Sequence, residues 1–175
     1  MFTLHTSIEL PIAHCLYRGA YSGLCCGNVY RDLIDDGEKE RYDLGSKIFP
    51  IVHGHNYNIT IKLSSNELNK DGMVIDFKKM KKVIHSYFDQ YDHSLILTSD
   101  NPLCQAYLDN FKENNIDITR VRLFIWEENP TAEYMSKYWC EAVEKLFKDE
   151  GLKVDKISVV VEETAKNTCE YIKEN

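Results

Sequence analysis

At 175 residues, with 43% hydrophobic and 28% charged side chains, the chain has the composition of an ordinary folded domain with a buried core, which excludes a largely disordered chain. Its net charge of −7, without a long basic run, argues against a nucleic-acid surface. No basic region precedes an apolar stretch at the N-terminus, so neither a signal peptide nor a membrane span is expected. The six cysteines lack C-x-x-C spacing and read as reduced thiols of a cytoplasmic protein.

Residues two apart share a face of a β-strand. Over 2–13, Phe2, Leu4, Ile8, Leu10 and Ile12 line up with His14 just beyond, and only Thr6 breaks the apolar row. Cys25 and Cys26 follow, beside Gly27; they are either inert buried cysteines or, near a dication, acidified and reactive thiols. The segment 27–52 carries Asp35-Asp36-Gly37-Glu38-Lys39-Glu40 and no strong periodicity, and a connection of that length is a lid or an insertion.

His53-Gly54-His55-Asn56-Tyr57 leads into a second strand, expected over 55–65. His53, His55, Tyr57, Ile59, Ile61 and Leu63 share one parity, with Asn56, Asn58, Thr60 and Lys62 opposite. Two apolar faces therefore both end in histidine, and antiparallel pairing would bring His14, His53 and His55 together. Three imidazoles without a fourth protein ligand form the usual donor set of a catalytic zinc, with one position open for water or substrate. The alternative is a group of hydrogen-bonded core histidines. His5 and His85 show no such convergence.

Asn69-Lys70-Asp71-Gly72 signals a turn, with a short strand expected at 73–76. Met80, Val83, Ile84, Tyr87 and Phe88 form one stripe of a helix over 78–90. Asp92 stands next to His93, where it can orient a general acid or base, or the pair can be a surface turn. A helix is expected near 102–113 and a strand over 119–126. Asn129-Pro130 reads as the cap and first turn of another helix, with Met135, Trp139, Ala142, Val143 and Leu146 as its apolar stripe. In the last strand, 155–164, Ile157, Val159, Val161 and Glu163 share parity. Glu163 thus continues a buried face and needs a partner, either a salt bridge or a ligand's N–H edge. This order of elements predicts a single α+β domain, 1–175, with a mainly antiparallel sheet.

Six features in this order resemble the 6-pyruvoyltetrahydropterin synthase / 6-carboxytetrahydropterin synthase family over nearly the whole chain. They are Ala13-His14, the His-Gly-His-Asn-Tyr run, Gly72-Met73-Val74-Ile75-Asp76-Phe77, Asp92-His93 followed by Leu95, Asn129-Pro130-Thr131-Ala132-Glu133, and Glu163-Thr164. The resemblance implies a tunnelling fold: an antiparallel four-stranded sheet with helices on one face, here with an extra helix-strand unit at 102–126 and the 27–52 insertion. It also implies trimers that close a barrel, two of which stack into a hexamer, with active sites between subunits.

By motif, His14, His53 and His55 would hold zinc, and Asp92 and His93 would form a proton-relay pair. Glu163 would grip the pterin ring edge, helped by the Thr131 region, while Asp76 and Glu133 match motif positions of structural role. The family's usual substrate is 7,8-dihydroneopterin triphosphate. Family members usually carry a catalytic cysteine a few residues before the His-Gly-His run, or in a subgroup a glutamate. Ser46-Lys47-Ile48-Phe49-Pro50-Ile51-Val52 offers neither. Counted forward from His14, Cys25 and Cys26 fall where bacterial members place that cysteine, so the resemblance implies Cys26, or else Cys25, as the base, with 27–52 inserted after it.

The Asn-Pro-Thr-Ala-Glu run and the extra unit are similar to bacterial queuosine-pathway members, which make 6-carboxytetrahydropterin with loss of acetaldehyde and triphosphate. The alternatives are 6-pyruvoyltetrahydropterin formation by triphosphate elimination, a side-chain cleavage leading toward folate, and a non-catalytic pterin-binding homologue.

Overall fold

The computed structural model describes residues 1–16 and 52–174. Cys25, Cys26 and the expected insertion as far as residue 51 lie outside the described residues. Within them, the elements are β1 (Phe2–His14), β2 (His53–Ser65), α1 (Phe77–Phe88), β3 (Ser94–Thr98), α2 (Pro102–Glu113), β4 (Leu123–Trp126), α3 (Ala132–Asp149), β5 (Lys156–Thr164) and β6 (Asn167–Glu174). Hydrogen-bonded neighbours run in the order β4-β3-β1-β2-β5-β6.

The α+β class and the helices packed on one face match expectation. The sheet, however, is six-stranded and mixed rather than four-stranded and antiparallel: β2–β5 and β5–β6 pair antiparallel, while β3 and β4 pair parallel. β3 and β6 carry no clear period in sequence, for opposite reasons. β3 is buried on both sides along most of its length, whereas β6 is half-buried at best. No helix of the described residues is long and apolar enough to cross a membrane.

The chain divides into two compact units. Among the described residues, the first comprises 1–12, 55–94 and 131–174. Its β1 and β2 alternate as expected, with Ile8, Leu10 and Ile12, and Tyr57, Ile59, Ile61 and Leu63, all buried. α1 starts at Asp76, whose Oδ1 accepts from Lys79 N at 2.9 Å, so the expected strand at 73–76 is instead a turn and a helix cap. The turn closes with Gly72 at φ 75°, a conformation that glycine adopts without steric cost.

From α1, Met80, Val83, Ile84 and Phe88 are buried, and the Phe88 ring meets Trp139 of α3 edge-on at 5.6 Å. The cap of α3 is Thr131 rather than Asn129: its Oγ1 accepts from Tyr134 N at 3.3 Å, which leaves Pro130 outside the helix. α3 lies on β5 and β6, where Ser136 Oγ donates to Cys169 Sγ at 3.5 Å and Lys173 Nζ donates to Glu144 Oε2 at 2.6 Å. A cavity of about 460 Å³, floored by Phe147, Val154 and Ile157, also lies in this unit and includes none of the candidate site residues.

Among the described residues, the second unit comprises 13–16, 52–54 and 95–130. Parallel β3 and β4 are joined by α2, in the crossover that parallel pairing requires, with Leu95 opposite Leu123 and Leu97 opposite Ile125. Asn101 caps α2 by accepting from Leu103 N at 3.0 Å, and Pro102 fills the first turn. Cys15, Leu97 and Cys104 form a small buried core, with Leu95, Leu103, Leu108 and Leu123 packed on it. The strand expected over 119–126 begins only at Leu123, after a single 3-10 turn at Ile118–Arg120.

Candidate metal centre

His14 ends the apolar face of β1 and is fully buried. Its Nδ1 lies 2.8 Å from the carbonyl oxygen of Pro130. A carbonyl only accepts, so Nδ1 carries the proton and a neutral His14 presents its Nε2 lone pair. That Nε2 sits 2.9 Å from Nε2 of His53, with the rings tilted by 58°. His55 lies two residues along β2 from His53, on the same parity, and one ligand nitrogen from each of the three histidines falls within 4.8 Å of the others.

This donor set fits a tetrahedral dication: bonds of about 2.0–2.1 Å place ligand nitrogens roughly 3.3 Å apart. A carbonyl fixing the far nitrogen of a ligating histidine is the usual way such a ring is oriented. His14, His53 and His55 would be the residues that hold the metal.

Glu163 stands near the end of β5 with its side chain 16% exposed. Oε1 accepts a hydrogen bond from the Tyr57 phenol at 3.3 Å and lies 3.7 Å from His55 Nε2. The neighbouring Glu162, on the other face, accepts from Asn58 Nδ2 at 2.9 Å. Parity therefore separates the two carboxylates as the alternation requires.

Asp92 and His93 form a contact of their own, Oδ1 to Nδ1 at 3.0 Å. The His93 side chain is 77% exposed, its backbone has φ 54°, and its amide donates to Pro11 O of β1 at 2.9 Å. A positive φ at a non-glycine residue is uncommon and clusters at functional positions.

Burial raises the thiols of Cys15 and Cys104 and pushes Cys140 up to about 11, so none of these three offers a ready thiolate. His5 is exposed on β1, and His85 is exposed beside Asp89 on α1. Two contacts escaped the sequence-based expectation, namely the Pro130 carbonyl on His14 and the Tyr57 phenol on Glu163. The second had a signal, since Tyr57 and Glu163 both continue buried parities. The first had none.

The sheet, the helices on it and the three imidazoles define an α+β protein with a histidine site capable of binding a metal. Residues 5–174 match the family described as 6-pyruvoyl tetrahydropterin synthase, and the chain belongs to this enzyme family. The 6-carboxy-5,6,7,8-tetrahydropterin synthase of Aquifex aeolicus is 29% identical over 125 residues, covering 70% of this chain and 75% of that protein. The protein of the same name from Rickettsia felis is 32% identical over 104 residues, covering 55% and 70%. A catalytic-residue mutant of Plasmodium vivax 6-pyruvoyltetrahydropterin synthase superposes with a TM-score of 0.61 at 17% identity, covering 100% of both chains. At that identity the likeness concerns the fold.

Proposed function

We propose that the chain converts 7,8-dihydroneopterin triphosphate to 6-carboxy-5,6,7,8-tetrahydropterin, on the route to queuosine, with zinc held by His14, His53 and His55. The observation that carries this reading is the buried His14, whose Nδ1 is tied to a carbonyl while its Nε2 faces His53 at 2.9 Å. The names of the bacterial relatives support the product.

When bound, the ion supplies Lewis-acid polarisation of the substrate's side-chain hydroxyls. The chain's own residues do the rest. Glu163 accepts the N–H edge of the pterin ring, with the Thr131 region beside it, and so fixes which carbon the acid–base groups face. Asp92 orients His93, which takes and returns protons. Cys26, or else Cys25, serves as the base for the side chain. The whole chain acts as one domain, in trimers or pairs of trimers with sites shared between subunits, in the cytoplasm.

The test compares wild type with His53→Ala for bound zinc and for turnover of 7,8-dihydroneopterin triphosphate. About one zinc per chain in wild type is expected, with both metal and turnover lost in the variant. Full turnover by a preparation holding less than about a tenth of a metal per chain would contradict the reading.

A further inference from the structure

Tyr57 belongs to the His-Gly-His-Asn-Tyr run but has no part in the chemistry above, and its surroundings give it one. It is fully buried, so its phenol needs a hydrogen-bond partner inside the protein. The O–H donates to Glu163 Oε1 at 3.3 Å. Its ring stands edge-on to His55, with centroids 5.5 Å apart and planes at 75°.

The end of the β2–β5 ladder is where one side chain reaches both. Asn58 opposite Glu162 is the last rung of that antiparallel ladder. Tyr57 and Glu163 flank it, at a register irregularity of β5 between Glu162 and Thr164, and their hydrogen bond shows that the two side chains meet. His55 is two residues back on β2, on Tyr57's own face.

A glutamate at a strand end has three side-chain torsions to fix before it can present a carboxylate to a planar ligand. A buried tyrosine has two, both held by packing. We infer that Tyr57 is the positioning residue for Glu163: its phenol sets the carboxylate's orientation before the ring arrives and ties that carboxylate to the strand carrying His55. This rests on the reading of Glu163 as the ring-binding carboxylate. Tyr57 touches no reacting atom. Its effect is on how well the ring is held, not on the metal.

The experiment is a double-mutant cycle on the zinc-loaded full chain, with Tyr57→Phe, Glu163→Gln and the pair. The readout is the affinity for pterin itself, the bare ring without a side chain, followed by its fluorescence. Tyr57→Phe keeps the ring on His55 and removes one oxygen. It is expected to weaken pterin binding about tenfold, or about 1.4 kcal/mol, with zinc content unchanged. In the Glu163→Gln background the same change is expected to cost little more, because its effect passes through the carboxylate.

Wild-type affinity in Tyr57→Phe would overturn the inference. So would a double mutant whose loss is the full product of the two single losses, the mark of an independent structural role. Absence of pterin binding by the wild-type chain would instead overturn the reading of Glu163, and this inference with it.

Discussion

His14 is where residue-scale chemistry is most tightly constrained. Alternation along β1 is enough to place a histidine at the end of a buried face, and the His-x-His spacing is enough to place two more on one face of β2. What spacing does not contain is the acceptor for Nδ1. That acceptor is a main-chain oxygen more than a hundred residues away, and Pro130 carries no side-chain signal for it. Glu163 was legible by parity as a carboxylate in need of a partner, and Tyr57 supplies part of that need. The proposed base, Cys26 or else Cys25, lies outside the described residues. Burial raises Cys15, Cys104 and Cys140, and the family resemblance, not elimination among the thiols, points to Cys26 or else Cys25. Alanine at both positions together is expected to reduce turnover at least a hundredfold while leaving zinc in place, as is usual when a positioned base is lost. Full activity in each single mutant and in the double mutant would remove the thiol from the mechanism.

At the scale of elements, α3 shows why boundaries were less legible than faces. Its buried stripe follows the 3.6-residue period, so Met135, Trp139 and Val143 were readable as core. Its start is harder to read, because Asn129-Pro130 is as good a sequence signal for a cap as Thr131, two residues on, where the helix is capped. Thr131→Ala should cost about 1 kcal/mol of stability and Thr131→Ser much less, measured by denaturant midpoint at constant m-value.

The seam between α3 and β6 was invisible for a different reason, since it is polar. Ser136, Cys140 and Glu144 recur every four residues on the helix, and Ser136 and Glu144 meet Cys169 and Lys173 of β6. Glu144 binds two ammonium groups, Lys148 at 2.8 Å and Lys173 at 2.6 Å, and these hydrogen bonds hold its carboxyl below the usual carboxylate range. A carboxyl lowered in the folded state stabilises above its unfolded value, and that stability disappears as pH falls through the folded value. Glu144→Gln should therefore lower stability at pH 7 by about 1 kcal/mol, a modest figure because both lysines reach solvent. The gap from wild type should close as the pH drops below about 4. A gap independent of pH would show that the glutamate acts through packing alone.

For the whole molecule, the class and the family are legible in the sequence, but two strands of the six-stranded sheet are not. β3 is too short and too evenly buried to show a period, and β6 uses Lys173 where an apolar residue would have marked the inner face. Neither strand carries a candidate site residue, because the histidines and Glu163 stand on β1, β2 and β5. The reaction outcome is a property of this larger scale, since it depends on how ring, side chain and base are held relative to one another. The most direct measurement is product analysis after the zinc-loaded chain is incubated with 7,8-dihydroneopterin triphosphate. The account predicts 6-carboxytetrahydropterin together with acetaldehyde and triphosphate in equal amounts. Triphosphate release with 6-pyruvoyltetrahydropterin and no acetaldehyde, or unchanged substrate despite bound zinc, would contradict it.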